Sequence, residues 1–165
     1  MLWGGYAGVG LACLALGSGG TYLALRPQLA QASASRTAGA QASRDQGNAL
    51  EDREQWAGAI TAYEQAVAGG LDNPDIRTDL GVAYFKAGQP KKALDEYAEA
   101  QRQSPGHENS LYNQGIAYAA LGDTARAISV WRSYLQRFPQ GQHVAGARQL
   151  ITQIQVPGVA PGTAK

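Results

Sequence analysis

The side chains that could act as a general base, a metal ligand or a nucleophile near neutral pH are two histidines, His107 and His143, and one cysteine, Cys13. None has the neighbours such chemistry needs. Each histidine sits beside a Gly or Pro turn, in SPGHEN and QGQHVA, with no carboxylate pair or nucleophile at a spacing that would bring the groups together. Both read as helix-end or loop residues. Cys13 lies in an apolar stretch, so the sequence offers no disulfide framework, no zinc spacing and no supported thiol nucleophile. Asp95, Glu96 and Glu99 do cluster, but Lys91 and Lys92 stand a helical turn before them, which makes an ordinary surface charge network. The glycines make turns and contacts rather than a phosphate loop. The expectation is a chain that is not an enzyme and takes no cofactor, metal or small-molecule substrate.

Charge points the same way. Only 16% of the 165 residues are charged and the net charge is +1, which gives no global field for nucleic acid. The distribution is uneven: residues 41–103 hold seven Lys/Arg against eleven Asp/Glu, and residues 104–165 hold five against two.

The elements that must position any binding groups are set by a repeat. In Leu80–Pro105, LGVAYFKAGQPKKALDEYAEAQRQSP, small, aromatic and turn residues alternate as in a hairpin of two short helices. A step of 34 positions takes Gly81 to Gly115, Tyr84 to Tyr118, Gly88 to Gly122, Ala93 to Ala127, Tyr97 to Trp131 and Pro105 to Pro139. The reverse step gives Gly47, Leu50, Ala59, Tyr63 and Ala66. A fixed period of this length marks a helical repeat array. At these residues the sequence resembles the tetratricopeptide repeat (TPR) family, and the resemblance implies an all-α helical-hairpin solenoid.

Three repeats are expected, at about 40–73, 74–107 and 108–141, followed by a capping helix over 142–155 and a disordered tail over 156–165. The first repeat is the most polar, as suits a repeat with no preceding neighbour. In the second, Pro74 and Pro90 open the two helices, and Gly81 and Ala93 are expected where the backbones come closest. In the third, Asp123 is placed to cap the second helix. Tyr134 stands in the slot that Ala100 fills one repeat earlier, so the element after it cannot dock as an ordinary repeat. That element carries Val144, Ala147, Leu150, Ile151 and Ile154 at helical spacing.

Ahead of the repeats, Met1–Leu25 has no charged side chain and ends at Arg26-Pro27. At about 1.5 Å per residue a helix of this length crosses a hydrocarbon core of about 30 Å, so residues 1–26 are read as a membrane helix. Gly4, Gly8 and Ala12 fall on one face at four-residue steps, which suits packing against another membrane helix. The second reading is a signal peptide cleaved near Ala30-Gln31-Ala32 or Ala32-Ser33-Ala34, against which stand the long apolar run and the absence of a basic residue before it. Arg26, Arg36 and Arg44 after the helix place the repeats on the cytoplasmic side of the inner membrane. Residues 27–40, rich in Gln, Ala and Ser, are read as a flexible or partly helical linker.

The resemblance also implies a protein-binding groove lined by the first helix of each repeat. Its positions here are Arg44, Asn48, Glu51 and Asp52 in the first repeat, and Asp75, Thr78, Val82, Phe85 and Lys86 in the second. The third contributes Asn109, Tyr112, Asn113, Ile116 and Ala120. Chaperone-binding members hold a terminal carboxylate with basic and Asn side chains. Here Asp79 replaces an Asn of that pattern and the basic groups of the third repeat are absent, which argues against such a clamp. The combined expectation is a membrane-anchored scaffold or assembly factor of bacterial type, whose partner is a protein and itself a membrane protein or complex. The layout of one span and three repeats resembles that of anchored members that assist photosystem I assembly. An exported module of envelope biogenesis or cytochrome maturation, and an accessory subunit of a membrane complex, are the alternatives.

Overall fold

In the computed structural model of the protein, residues 21–155 are described, with side chains from residue 28 onward. They form seven helices: α1 (Thr21–Glu51), α2 (Trp56–Ala68), α3 (Pro74–Lys86), α4 (Pro90–Gln103), α5 (Glu108–Ala120), α6 (Thr124–Arg137) and α7 (Val144–Gln155). Successive helices pair into three antiparallel hairpins, and α7 closes the last one.

Local chemistry sets the ends. The Asn73 side chain accepts from Ile76 N at 3.1 Å ahead of Pro74, and Asp123 accepts from Arg126 N at 3.0 Å ahead of α6. The α3–α4 and α5–α6 turns place Gly88 and Gly122 at φ 76° and 78°, where a Cβ would be strained, so the repeat keeps glycine at both.

The hairpins are held by three glycine–aromatic pairs. A Cβ on Gly47 would strike the Tyr63 ring, one on Gly81 the Tyr97 ring and one on Gly115 the Trp131 ring. Each aromatic comes from the second helix of a hairpin and fills the space that its glycine leaves on the first. This sharpens the expectation for the second repeat: Gly81 makes room for Tyr97 rather than for Ala93. Ala93 is itself fully buried.

The core has two parts. Ala59, Tyr63, Ile76, Leu80, Tyr84 and Tyr97 build the first, around α2 to α4. Leu111, Ala127, Trp131, Tyr134 and Ala147 build the second, on which Val144, Leu150, Ile151 and Ile154 of α7 lie half-buried. The hydrophobic face that α6 leaves open is thus covered by a single helix.

One segment departs from expectation. Residues 27–40, read as a flexible or partly helical linker, are helical throughout and continue the first helix of repeat one as part of α1. The physical reason is propensity: Ala, Gln and Arg lose little side-chain freedom in a helix, and the segment contains no glycine before Gly39. Ala40 then pins the helix, being 3% exposed, with its Cβ 2.8 Å from where a Cβ on Gly69 would lie. Most of the expected membrane helix, with Gly4, Gly8 and Ala12, lies outside the described residues, as does the tail from residue 156. Among the described residues no helix is long and apolar enough to cross a membrane.

Candidate functional site: the face of the first helices

The first helices α1, α3, α5 and α7 lie side by side and are laced by polar contacts. Arg44 of α1 reaches Asp79 of α3 at 3.7 Å. Asp75 of α3 meets His107 Nε2 at 3.0 Å, just ahead of α5. Asn109 of α5 meets His143 Nε2 at 3.0 Å, just ahead of α7. The two histidines, helix-end residues on sequence grounds, are thus the links between consecutive hairpins. His107 also caps α5 through Ser110 N, at 3.4 Å from Nδ1.

The aromatic side chains of the second helices pass over their glycines and bring polar tips towards this face. Tyr63 donates to Glu51 Oε2 at 2.7 Å, with Asn48 Oδ1 at 2.9 Å. Trp131 Nε1 donates to the Tyr112 carbonyl at 3.1 Å. Tyr97 makes no hydrogen bond among the described residues, although it is 2% exposed; burial and the nearby Glu51 carboxylate hold its proton on. The reason is visible in the repeat: the residues one period after Asn48 and Glu51 are Val82 and Phe85, which cannot bond to it.

Electrostatics divide the face. Around α1 and α3 the carboxylates Glu51, Asp75 and Asp79 outnumber Arg44. Burial pushes the Asp79 carboxyl up to about 6, against the pull of Arg44 and with the added push of Glu51 and Asp75. At the seam between α5 and α7 the charged group is paired. Glu108 accepts from the Tyr134 hydroxyl at 2.6 Å and from Gln142 N at 2.7 Å, and Tyr134 accepts from His143 N at 2.9 Å. The Tyr134 hydroxyl holds the Glu108 carboxyl below its ordinary range. His143 stacks on Tyr112 with ring centroids 4.3 Å apart and an interplanar angle of 8°.

The expected groove residues fare differently. Arg44, Asn48, Asp75, Asn109 and Tyr112 enter the contacts just described. Val82, Phe85 and Ile116 are half-buried against the core. Asn113 is half-buried, and no hydrogen bond engages it among the described residues. Thr78 is 5% exposed and spends its hydroxyl on the Pro74 carbonyl at 2.8 Å, so it supports α3 rather than facing a ligand. Lys86 is exposed and lies 6.0 Å from the Trp56 ring centroid. Sequence reasoning missed Tyr97 and Tyr134 as groups that reach this face. The signal was present in the period, since the step from Tyr63 through Tyr97 to Trp131 keeps the aromatic while the residues around its tip change. No cluster of metal-ligating side chains occurs among the described residues.

The architecture and its laced inner face define a helical-hairpin repeat solenoid. Family models described as "Tetratricopeptide repeat" match residues 44–108 and 109–141. The TPR repeat-containing protein PA0015 of Pseudomonas aeruginosa is 32% identical over 76 residues, covering 46% of this chain and 72% of that protein. The chain belongs to the tetratricopeptide repeat family. The mouse Tetratricopeptide repeat protein 28 is 32% identical over 82 residues, which is 50% of this chain but only 3% of that much longer protein. Photosystem I assembly protein Ycf3 of Prochlorococcus marinus is 23% identical over 113 residues, 58% of this chain and 65% of that protein. Among solved structures, the first TPR of Spaghetti (RPAP3) bound to the HSP90 peptide SRMEEVD superposes with a TM-score of 0.65. It is 19% identical and covers 72% of this chain and 91% of that one, a likeness of fold.

Proposed function

We propose that this protein is a membrane-anchored scaffold or assembly factor of bacterial type that holds a segment of a partner protein on the face of its first helices. The observation that carries the reading is the mixture on that face. Half-buried Val82, Phe85, Tyr112 and Ile116 share the first helices with the polar Asn48 and Asn113, and peptide recognition uses such apolar anchors flanked by hydrogen-bonding groups. The relatives lean the same way: one is a photosystem assembly protein and one structural neighbour holds a peptide. The anchor rests on the charge-free first 25 residues, and the arginines after them favour a cytoplasmic domain at the inner membrane whose partner is a membrane protein or complex.

Two experiments test it. A photo-crosslinking residue at Val82 or Asn113 should capture a partner in cells, and the same residue at Ala98 or Ser129, exposed on second helices, should not. Equal capture from all four sites would sink the groove. Membrane fractionation with intact mass measurement tests the anchor: the full-length chain should stay with membranes after carbonate washing, and a chain lacking roughly its first 30 residues would assign the exported reading instead.

A further inference from the structure

The part of the inner face shared by α1 and α3 is short of cations. Glu51, Asp75 and Asp79 face one permanent cation, Arg44, with His107 engaged on Asp75, while Lys86 is drawn away towards Trp56. A group of carboxylates is not a site in itself. The independent observation is Tyr97, 2% exposed, whose ring leaves α4, crosses Gly81 of α3 and places its hydroxyl within the field of Glu51 on α1. Its counterparts Tyr63 and Trp131 both hydrogen-bond, and it alone of the three does not among the described residues. The Tyr97 side chain is thus almost wholly buried while its hydroxyl keeps an unused hydrogen-bonding capacity at this face, which a ligand arriving there can use. A second group on α1 lacks a partner: Arg44 Nε has no acceptor among the described residues.

Resting on the groove reading above, we infer that this part of the face receives a lysine or arginine side chain from an extended segment of the partner. The cationic head sits between Glu51 and Asp79, with the Tyr97 oxygen accepting one of its N–H groups. Val82 and Phe85, half-buried alongside, offer apolar surface to the aliphatic stem. Asp79 has the character of a carboxylate lacking a counter-charge: burial raises it, Arg44 and His107 only partly offset this, and Glu51 and Asp75 add to it. An acidic peptide such as SRMEEVD, held by the structural neighbour, would bring its carboxylates against these three.

The test is an array of acetylated, amidated octapeptides in which every residue type is scanned through each position, probed with the full chain. Peptides with Lys or Arg at one position should be selected and SRMEEVD should not. Binding of the selected peptides should weaken roughly tenfold in Asp79→Asn and in Glu51→Gln, and several-fold in Tyr97→Phe. Tyr97→Phe keeps the ring over Gly81, so it separates loss of recognition from loss of fold. Selection of apolar or acidic peptides that Val82→Asp releases would leave the groove reading standing and overturn the cationic one. Basic peptides held equally by all three variants would overturn it as well. An array in which nothing is selected, or nothing is released by any of these four substitutions, would overturn both.

Discussion

The two ends of the inner face are built from the same parts and finished differently. Where α5 meets α7, the seam is bonded: Tyr134 to Glu108 and to His143 N, Trp131 to the Tyr112 carbonyl, and His143 to Asn109. Where α1 meets α3, Asp79 has one distant cation at 3.7 Å, Arg44 Nε has no acceptor and Tyr97 has no bond among the described residues. A closed network stabilises the fold and offers a partner little. An open one leaves hydrogen-bonding capacity for something else to use. The contrast assigns the seam between α5 and α7 to structure and leaves the α1–α3 end, with the free side of α5 that carries Asn113, to recognition.

The largest effect belongs to the closed end. Trp131→Ala would empty the space above Gly115, loosen the seat of α7 and remove the indole N–H bond to the Tyr112 carbonyl. A loss of about 3–5 kcal/mol in denaturant unfolding is expected. A loss below about 1 kcal/mol would show that the cap does not depend on this side chain.

Next is Tyr134→Phe, which removes one hydroxyl from a three-way junction and leaves Glu108 and His143 N each short of a partner. About 1–3 kcal/mol should be lost at neutral pH. Because that hydroxyl holds Glu108 below its ordinary value of 4.5, the associated stability is present above that value and falls away as pH drops through the lower folded one. The variant should therefore lose less than the wild type on acidification, measured by melting temperature.

Much of this fold was legible in the sequence, because a 34-residue step that preserves glycine against aromatic fixes which helices pair and where they touch. The capping role of Val144 to Ile154 was legible from periodicity. The length of α1 was not: residues 27–40 carry no apolar stripe to mark a helix, and propensity in an Ala- and Gln-rich segment is a weak signal on its own. For the site, the period placed residues on a face but not in contact. Arg44–Asp79, His107–Asp75 and His143–Asn109 join different hairpins, and such pairs depend on the rotation between repeats, which no local spacing encodes. Thr78 shows the limit from the other side, since a groove position by register proved to be bonded to its own helix.

The open end should respond to pH in the opposite sense. Asp79 titrates near 6 when folded and near 3.8 when not, so between those values the folded state holds the extra proton. Stability from this group is full below about pH 4 and declines as pH rises to about 6. The side chain is 35% exposed, which screens the effect to about 1 kcal/mol. Asp79→Asn should flatten this decline and gain up to that amount at pH 7, less whatever the Arg44 contact contributes. A variant that kept the slope would move its origin to another carboxylate.

The smallest effect carries the most information. Tyr97→Phe removes a hydroxyl that, unlike those of Tyr63 and Tyr134, has no partner among the described residues, so nothing is orphaned by its loss. The expected change in stability is within about 0.5 kcal/mol, and a small gain is as consistent as a small loss. Tyr63→Phe, which deprives Glu51 of a bond at 2.7 Å, should cost about 1–2 kcal/mol under the same conditions. Were the two substitutions equally costly, the Tyr97 hydroxyl would have to serve the fold, and the α1–α3 end would be as closed as the other. A near-neutral Tyr97→Phe instead leaves a hydroxyl whose retention folding stability does not explain, within the field of Glu51 on the part of the face that is short of cations.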